Sequence, residues 1–308
     1  MPRFTVSKSI RIQAPAETVH ASVRDFKQWP AWSPWLIAEP DSKLSYSDDG
    51  KGYAWDGKIT GSGEMEVIKD DPPHEIRSKL TFLKPWKSIC ETSFFFKPSG
   101  DGTEVTWTMN GSLPIFMFWM SKMMSAFIGM DYERGLTMLK QHIEGGEVLS
   151  KLAFPGIQSY PGCRYVGIRA TCSIDEIGPA MQRDMARLVQ WCEQSKTTPS
   201  APPISIYHQW KPVARTAEYT LAFPVETAPS SLPDGLINGE LPECNCYVVR
   251  HTGPYPQLGN AWSAGMMHGR ANVFSQKRGI PPFELYHNDP TETPESELIT
   301  LVHFPAKS

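Results

Sequence analysis

The chain has 308 residues and a formal net charge of −3, from 30 basic and 33 acidic side chains. This length accommodates two domains that each bury a core of their own. Neither half has the excess of basic residues that duplex nucleic acid requires, so we expect no direct nucleic-acid partner. The six cysteines are scattered and include no CxxC pair. They therefore predict reduced thiols rather than a metal site.

The sequence shows no membrane or export signal. Met1-Pro2-Arg3 leads directly into a strand pattern rather than into a charged and then apolar leader. The most apolar run, residues 113–120, is far shorter than the roughly 20 residues that cross a bilayer. We therefore expect a soluble, cytoplasmic protein with no membrane partner.

Residues 1–148 predict a first domain built on an antiparallel sheet. Residues 4–12 alternate as a strand whose apolar face is interrupted only by Lys8. Short helices follow, and the pattern puts His20 on the surface of the first of them. Residues 43–109 then show only strand patterns separated by turns.

A long helix closes this domain. After Pro114, apolar side chains recur at helical spacing until Gly145-Gly146, and glycine is common at a helix end. Strand, short helices, antiparallel strands and one long helix is the order of the helix-grip fold. A tryptophan cluster resembles the corresponding stretch of START-like polyketide cyclase and dehydrase (SRPBCC) relatives: Trp29-Pro30-Ala31-Trp32-Ser33-Pro34-Trp35. The resemblance covers about residues 3–146 and implies a curved sheet around the helix, with a cavity for apolar or aromatic ligands.

The tryptophans of this domain suit such a cavity. They include Trp32, Trp35, Trp55, Trp86, Trp107 and Trp119. Trp35 and Trp107 are the candidate ligand-binding pair, because aromatic faces beside a methionine-rich helix can line a pocket for apolar molecules. The alternative is that these side chains only fill the core. No His, Asp and Glu constellation supports cyclase chemistry here.

The second domain, residues 155–308, contains an internal repeat. A phrase ending in Tyr207-His208 recurs 79 residues later and ends there in Tyr286-His287. An apolar strand that closes on Phe-Pro follows each copy. A strand and a helix precede each copy, with the helices predicted at about 173–194 and 257–276. The repeat predicts an α+β fold of two βαββ units, which usually pair about a pseudo-twofold axis.

This half resembles the GyrI-like small-molecule-binding domain, which is also the effector-binding part of AraC-type and multidrug-sensing transcription regulators. The resemblance rests on stretches that occur in the family's order: Val248-Val249-Arg250-His251-Thr252-Gly253-Pro254-Tyr255, Phe283-Glu284-Leu285-Tyr286-His287-Asn288-Asp289-Pro290 and Leu301-Val302-His303-Phe304-Pro305. It implies a pair of sheets around a central ligand groove. In the multidrug sensors an acid in that groove meets the cation of lipophilic aromatic ligands, and Glu284 has the matching place in this sequence.

Glu284 also stands out by its chemistry. It replaces the Ser205 of the first copy and lies between Phe283 and Leu285 in an apolar strand. A carboxylate that points into an apolar groove is costly to ionise unless something compensates its charge. A bound cation is one such compensation. The sequence therefore predicts that Glu284 binds a cationic group.

Aromatic residues can complete this ligand site. The faces of Tyr286, Tyr207 or Trp262 would add about 0.5–2 kcal/mol of cation–π attraction. Strand alternation puts Glu284 and Tyr286 on one face. The same alternation leaves a second orientation open, in which both side chains face solvent and Phe283 faces the core.

The histidines of the repeat admit two interpretations. His208 and His287 have equivalent places in the two copies, so a shared metal is conceivable. Symmetric structural histidines are the favoured interpretation, and we predict neither a metal nor a cofactor. His251 precedes a turn and is expected to stabilise that turn.

Three functions are compatible with these features. We predict a binding protein (a sensor, carrier or sequestering agent) for a small apolar or cationic aromatic molecule. The alternative is a hydrolase of electrophilic molecules, with Glu284 as general base and Tyr286 orienting the substrate. A third is an inhibitor of a protein partner such as a topoisomerase. Phosphate-binding glycine loops and the GxSxG and HExxH motifs are absent, which excludes the common nucleotide-binding, serine-hydrolase and metalloprotease classes.

Overall fold

The structure of the protein is a computed structural model that describes residues 3–84, 87–112 and 119–307. The chain forms two compact units, Met1–Leu149 and Ser150–Ser308. Each unit has its own antiparallel sheet and its own helices, which confirms the predicted α+β fold class. Within the described ranges, no helix is long and apolar enough to span a membrane.

The first unit is a seven-stranded antiparallel sheet with one long helix. Its helices are α1, Ala16–Arg24; α2, Trp29–Trp32; and α3, Ser121–Gly145. Its strands are β1, Arg3–Ile12; β2, Lys43–Tyr46; β3, Gly52–Asp56; β4, Ser62–Asp71; β5, Glu75–Lys84; β6, Ser88–Ser99; and β7, Gly102–Ser112. The strands lie in the order β1-β7-β6-β5-β4-β3-β2, and the helix-grip prediction is confirmed.

Helix α3 packs against β1 through a face with helical spacing. The buried residues of α3 are Gly129, Tyr132, Gly135, Leu136, Met138 and Leu139. Lys8, the one polar residue on the apolar face of β1, forms an ion pair with Glu133 of α3. Its place on that face is explained by this partner. Gly146 has a left-handed φ of 79° and ends the helix, as predicted.

The prediction that His20 lies on the surface is wrong. His20 is only 6% exposed, and its Nε2 lies 2.9 Å from Oδ1 of Asp70 on β4. Helix α1 packs on the sheet, so the face that carries His20 is turned toward the strands. The part of the predicted long helix between Pro114 and residue 118 lies outside the described residues.

The second unit is an eight-stranded antiparallel sheet with two helices. The helices are α4, Ile177–Ser195, and α5, Gly259–Arg270. The strands are β8, Lys151–Tyr160; β9, Cys163–Ser173; β10, Ile204–Lys211; β11, Thr216–Val225; β12, Ile237–Leu241; β13, Cys244–Thr252; β14, Phe283–Tyr286; and β15, Ile299–Pro305. The copies β9-α4-β10-β11 and β13-α5-β14-β15 are the two predicted βαββ units.

The two copies meet at their central strands in the sheet order β12-β9-β11-β10-β14-β15-β13-β8. The β10–β14 pairing places Ser205 opposite Glu284. The backbone N–H of Tyr207 donates to Pro282 O at 3.0 Å, and that of Tyr286 donates to Pro203 O at 3.3 Å. Equivalent residues of the two copies therefore make equivalent hydrogen bonds. Because these strands are hydrogen-bonded, the copies form one continuous sheet rather than the pair of sheets that the resemblance implied.

Two strands and one helix end differ from the sequence patterns. Strand β8 begins in residues 149–154, which lie between the two predicted domains, and its pattern is interrupted by Pro155 and a bulge at Gly156, which has a φ of 83°. The short strand β12 is unpredicted as well. Helix α5 ends at Arg270 instead of continuing to residue 276, and Asn272 follows with a left-handed φ of 57°. This conformation cannot continue a helix.

Candidate functional site

Glu284 is a fully buried acid surrounded by aromatic donors. The residue is 1% exposed. Its Oε2 accepts hydrogen bonds from the hydroxyls of Tyr286 at 2.6 Å and Tyr207 at 3.0 Å. Its Oε1 accepts a hydrogen bond from Nε1 of Trp262 at 2.5 Å. Glu284 and these three donors together are called the Glu284 site below.

The internal repeat positions most of this site. Glu284 and Tyr286 lie two residues apart on β14 and therefore project to the same face of the sheet. Tyr207 comes from the equivalent position of β10, directly beside β14. Trp262 comes from α5, and its ring lies 4.8 Å from that of Tyr207 at an interplanar angle of 69°. The site thus lies on the helix-covered face of the sheet, beside the pseudo-twofold axis.

Further residues border the site on the side of Tyr286. The Tyr286 hydroxyl is 2.9 Å from Oγ of Ser205 and 4.0 Å from Sδ of Met181 on α4. The ring of Tyr255 lies 5.5 Å from that of Tyr286 in an edge-to-face arrangement. Methionine and aromatic side chains give this border an adaptable apolar surface.

The electrostatics of Glu284 are unusual. Burial raises the pKa of its carboxyl, and the hydrogen bonds from Trp262, Tyr286 and Tyr207 offset only part of that effect. Burial and the neighbouring carboxylate raise the pKa of both tyrosines far above the ordinary value, so they remain neutral donors. Within the described ranges, no Lys, Arg or His forms an ion pair with Glu284. The site can therefore hold a negative charge that no cationic side chain of the described residues neutralises.

The structure brings four of the six candidate residues together: Glu284, Tyr286, Tyr207 and Trp262. Of the two orientations that alternation left open, it has the one in which Glu284 is buried. Phe283, on the opposite face, is also fully buried at 0% exposure. Since both faces of β14 are covered, a period of two in the sequence could not distinguish them.

Three neighbours of the site were not predicted from the sequence. Ser205 lies at the repeat position equivalent to Glu284, so the repeat itself was the signal for its contact with Tyr286. Tyr255 belongs to one of the stretches on which the family resemblance rests. No sequence pattern indicated Met181, because its closeness to Tyr286 follows only from the packing of α4.

Trp35 and Trp107 lie in the first unit and form part of its aromatic core. Trp107 is 1% exposed and stacks on Tyr132 with ring centroids 3.9 Å apart. Its Nε1 donates to Oγ1 of Thr92 at 2.8 Å. The Trp35 ring lies 5.8 Å from that of Trp107. Contact of these two tryptophans with a ligand stays a prediction.

The other tryptophans of this unit do not share one environment. Trp32 is fully buried at 0% exposure, and Trp55 is buried at 9%. Trp119, in contrast, is 66% exposed. Trp86 lies outside the described residues.

The symmetric histidines have different surroundings. Nε2 of His208 lies 2.7 Å from Oγ1 of Thr220. His287 is exposed, and its backbone N–H donates to Ile299 O at 3.0 Å. In the part of the chain that the structure describes, no three His, Cys, Asp or Glu side chains are arranged to bind a metal ion.

Two family models match the sequence, and their ranges do not overlap. The family model for polyketide cyclase / dehydrase and lipid transport matches residues 3–144. The family model for the GyrI-like small molecule binding domain matches residues 155–307. No curated protein matches the sequence significantly.

Several solved structures are similar to part of the chain. The crystal structure of the EcmrR C-terminal domain is 18% identical, covering 52% of this chain and 99% of that chain at a TM-score of 0.41. SAV2435 bound to tetraphenylphosphonium is 16% identical, covering 51% of this chain and 94% of that chain at 0.40. A START superfamily protein from Mycobacterium smegmatis is 25% identical, covering 46% and 97% at 0.34. On these matches, residues 3–144 belong to the polyketide cyclase / dehydrase and lipid transport family, and residues 155–307 belong to the GyrI-like small molecule binding domain family.

Proposed function

We propose that the protein is a sensor, carrier or sequestering agent that binds a lipophilic aromatic cation at the Glu284 site. One observation carries the proposal: a carboxylate that is 1% exposed accepts hydrogen bonds from three aromatic side chains and has no cationic partner among the described residues. Neutral hydrogen bonds alone offset only part of the free energy that it costs to bury an ionised carboxylate. A ligand cation would offset the remainder.

The aromatic donors would strengthen such binding. Tyr207 and Trp262 present ring surfaces beside the acid and are only partly buried. A cation over an aromatic face gains about 0.5–2 kcal/mol, more where water is excluded. Because each ring donates a hydrogen bond to Glu284, the negative charge also increases the electron density of the ring. We therefore expect a delocalised organic cation with aromatic groups to bind more tightly than a small hydrated cation.

Binding explains the geometry better than hydrolysis does. A general base needs a water within about 2.6–3.2 Å of the carboxylate oxygen that takes its proton. Both oxygens of Glu284 already accept hydrogen bonds from aromatic side chains. The raised pKa of Glu284 suits a general base, so the hydrolase remains the alternative. It is supported if Glu284→Gln abolishes turnover of an electrophilic substrate while leaving its binding intact.

The proposal is tested with tetraphenylphosphonium as the probe and triphenylphosphine oxide as its neutral counterpart. Titration calorimetry and tryptophan fluorescence are measured on the full chain and on Glu284→Gln. We expect the cation to bind the unchanged chain and to bind Glu284→Gln at least about tenfold more weakly, equivalent to about 1.4 kcal/mol. The exposed Glu292→Gln is the matched control and should not alter the affinity.

Equal affinity of tetraphenylphosphonium for both forms would refute the Glu284 site. Binding that ignores Glu284→Gln but weakens in a Trp35→Phe variant would move the ligand to the first unit. Absence of any binding would favour the interpretation in which the protein acts on a protein partner.

A further inference from the structure

A concave surface of the second unit includes Tyr207 in its lining. It is a groove of about 750 Å³ between β10 and the segment that follows α5. Its lining includes the apolar Phe274 and Ile280 and the basic Lys277, Arg278 and Lys307. This surface is called the basic groove. Residues 271–276, which contribute to its lining, were predicted to be helical, so no sequence pattern indicated the groove.

The charge of the basic groove differs from that of the rest of the chain. Its lining contains three basic side chains and no Asp or Glu, whereas the whole chain has a net charge of −3. None of the three basic residues forms an ion pair within the described ranges. Uncompensated like charges around a concavity raise the local concentration of anions and favour their binding.

The backbone of the groove is held in place before any ligand binds. The N–H of Lys277 donates to Pro305 O, and that of Lys307 donates to Ser275 O, both at 2.8 Å. A bridge between Gln276 and Ala306 lies between these bonds. The segment is thus tied to the residues that follow β15. A lining whose backbone is already ordered loses less conformational entropy on binding.

We propose that the basic groove binds an amphipathic organic anion, an aromatic carboxylate or sulfonate, with its charged group at Lys277, Arg278 and Lys307. The apolar body of the ligand then lies on Ile280 and the ring of Tyr207. This anion subsite is separate from the Glu284 site, although Tyr207 borders both. Anion binding in the groove does not depend on cation binding at Glu284. The Glu284 carboxylate would repel an anion, so it cannot be the source of the affinity for the anion.

The test uses 8-anilinonaphthalene-1-sulfonate as the probe, with fluorescence and calorimetric titration of the full chain. The uncharged N-phenyl-1-naphthylamine has the same rings without the sulfonate. The double variant Lys277→Gln/Arg278→Gln removes two of the three basic charges of the groove lining. Arg183→Gln/Lys196→Gln removes the same charge from exposed positions of the same unit outside the groove lining.

We expect the sulfonate to bind Lys277→Gln/Arg278→Gln about fivefold to tenfold more weakly than the unchanged chain, because two ionic contacts are lost. The control variant should retain the affinity of the unchanged chain. The neutral probe should not discriminate among the three proteins, and added salt should weaken only the sulfonate. Equal sulfonate affinity in all three proteins, or no saturable binding, would overturn the proposal.

The outcome is independent of the Glu284 site. Tetraphenylphosphonium should bind Lys277→Gln/Arg278→Gln as it binds the unchanged chain, and the sulfonate should bind Glu284→Gln no more weakly than the unchanged chain. A loss of cation binding in Glu284→Gln with unchanged sulfonate affinity everywhere would therefore remove the anion subsite and leave the proposed function standing. A loss of sulfonate binding in Lys277→Gln/Arg278→Gln, with equal cation affinity of Glu284→Gln and the unchanged chain, would remove the Glu284 site and leave the anion subsite standing.

Discussion

Ser205 and Glu284 are direct partners across β10 and β14 and occupy equivalent positions of the internal repeat. The pseudo-twofold axis of the second unit therefore passes between them. A carboxylate in both copies would place two negative charges on neighbouring strands, where like charges are destabilising. With serine in one copy and glutamate in the other, the axis carries a single charge. This asymmetry turns a symmetric scaffold into a site with one acid.

The stability of the chain should depend on pH through Glu284. Its carboxyl has an ordinary pKa near 4.5 in the unfolded chain and a raised pKa in the folded chain. Below about pH 4.5 the group is protonated in both states and has no differential effect. Above that pH the unfolded chain ionises first, so the folded state loses stability until the pH passes the raised pKa.

We therefore expect Glu284→Gln to melt at a higher temperature than the unchanged chain at neutral pH. The difference should vanish at about pH 4 and grow with pH until the pH passes the raised pKa of Glu284 in the folded chain. Each tenfold difference in acid dissociation between the two states corresponds to about 1.4 kcal/mol. Differential scanning fluorimetry between pH 4 and pH 9 measures this effect. A melting difference that stays constant over that range would show that the carboxyl does not titrate as the buried geometry requires.

The packing of α5 should control the Glu284 site through Gly265. A Cβ added at this glycine would collide with the ring of Phe304 on β15. Gly265→Ala should therefore displace α5, which carries Trp262, and destabilise the second unit by about 1–3 kcal/mol. Cation affinity should fall with it. Urea unfolding and calorimetric titration of the same variant measure the two effects.

Gly178 is the matched control for this prediction. It lies in the first turn of α4, and a Cβ there would meet no atom within 4 Å. Gly178→Ala should leave cation binding unchanged and stabilise the chain by about 0.4–1 kcal/mol, since alanine restricts the unfolded state. Equal effects of the two substitutions would argue against a close approach of α5 to the sheet.

Two buried histidines should make the second unit sensitive to acid. Burial lowers the pKa of His251 and of His303 from about 6.5 to about 4. A histidine that is hard to protonate in the folded state contributes stability that is complete above pH 6.5 and is lost as the pH falls toward 4. Each residue accounts for about 3 kcal/mol over this interval, as an order of magnitude.

His303→Phe tests the second of these residues while keeping an aromatic ring on Phe283, with which His303 stacks at 4.7 Å. Between pH 6.5 and pH 4 the variant should lose about 3 kcal/mol less stability than the unchanged chain in urea unfolding. His287→Asn, at an exposed position, is the control. Parallel pH profiles for the unchanged chain and His303→Phe would contradict the prediction.

The aromatic core should dominate the stability of the first unit. Trp107 is buried between Tyr132 and Phe94, whose ring centroids lie 3.9 Å and 4.7 Å from its own. Trp107→Ala should cost about 3–5 kcal/mol, because it leaves a cavity and removes the hydrogen bond to Thr92. Trp119→Ala, at a side chain that is 66% exposed, should change stability by less than about 0.5 kcal/mol. Hydrogen exchange of peptides from residues 3–112 measures both variants without interference from the second unit.

The sequence by itself determined the order of most strands and helices in both units. The period-two strands, the glycine-terminated helix and the repeated phrase each depend on local physical rules, so they could be recognised without three-dimensional information. Glu284 could be singled out for the same reason, as an acid in an apolar strand where the other copy has Ser205.

Only the tertiary structure decided how these elements make a site. Both faces of β14 are buried, so alternation could not assign Glu284 to one of them. Its contacts with Trp262 and Tyr207 join α5, β10 and β14, which are far apart in sequence and meet only because the two copies pair at their central strands. The basic groove depends on where α5 ends. That end is set by the left-handed turn at Asn272 and by backbone bonds to the last strand, and no local residue pattern encodes these bonds.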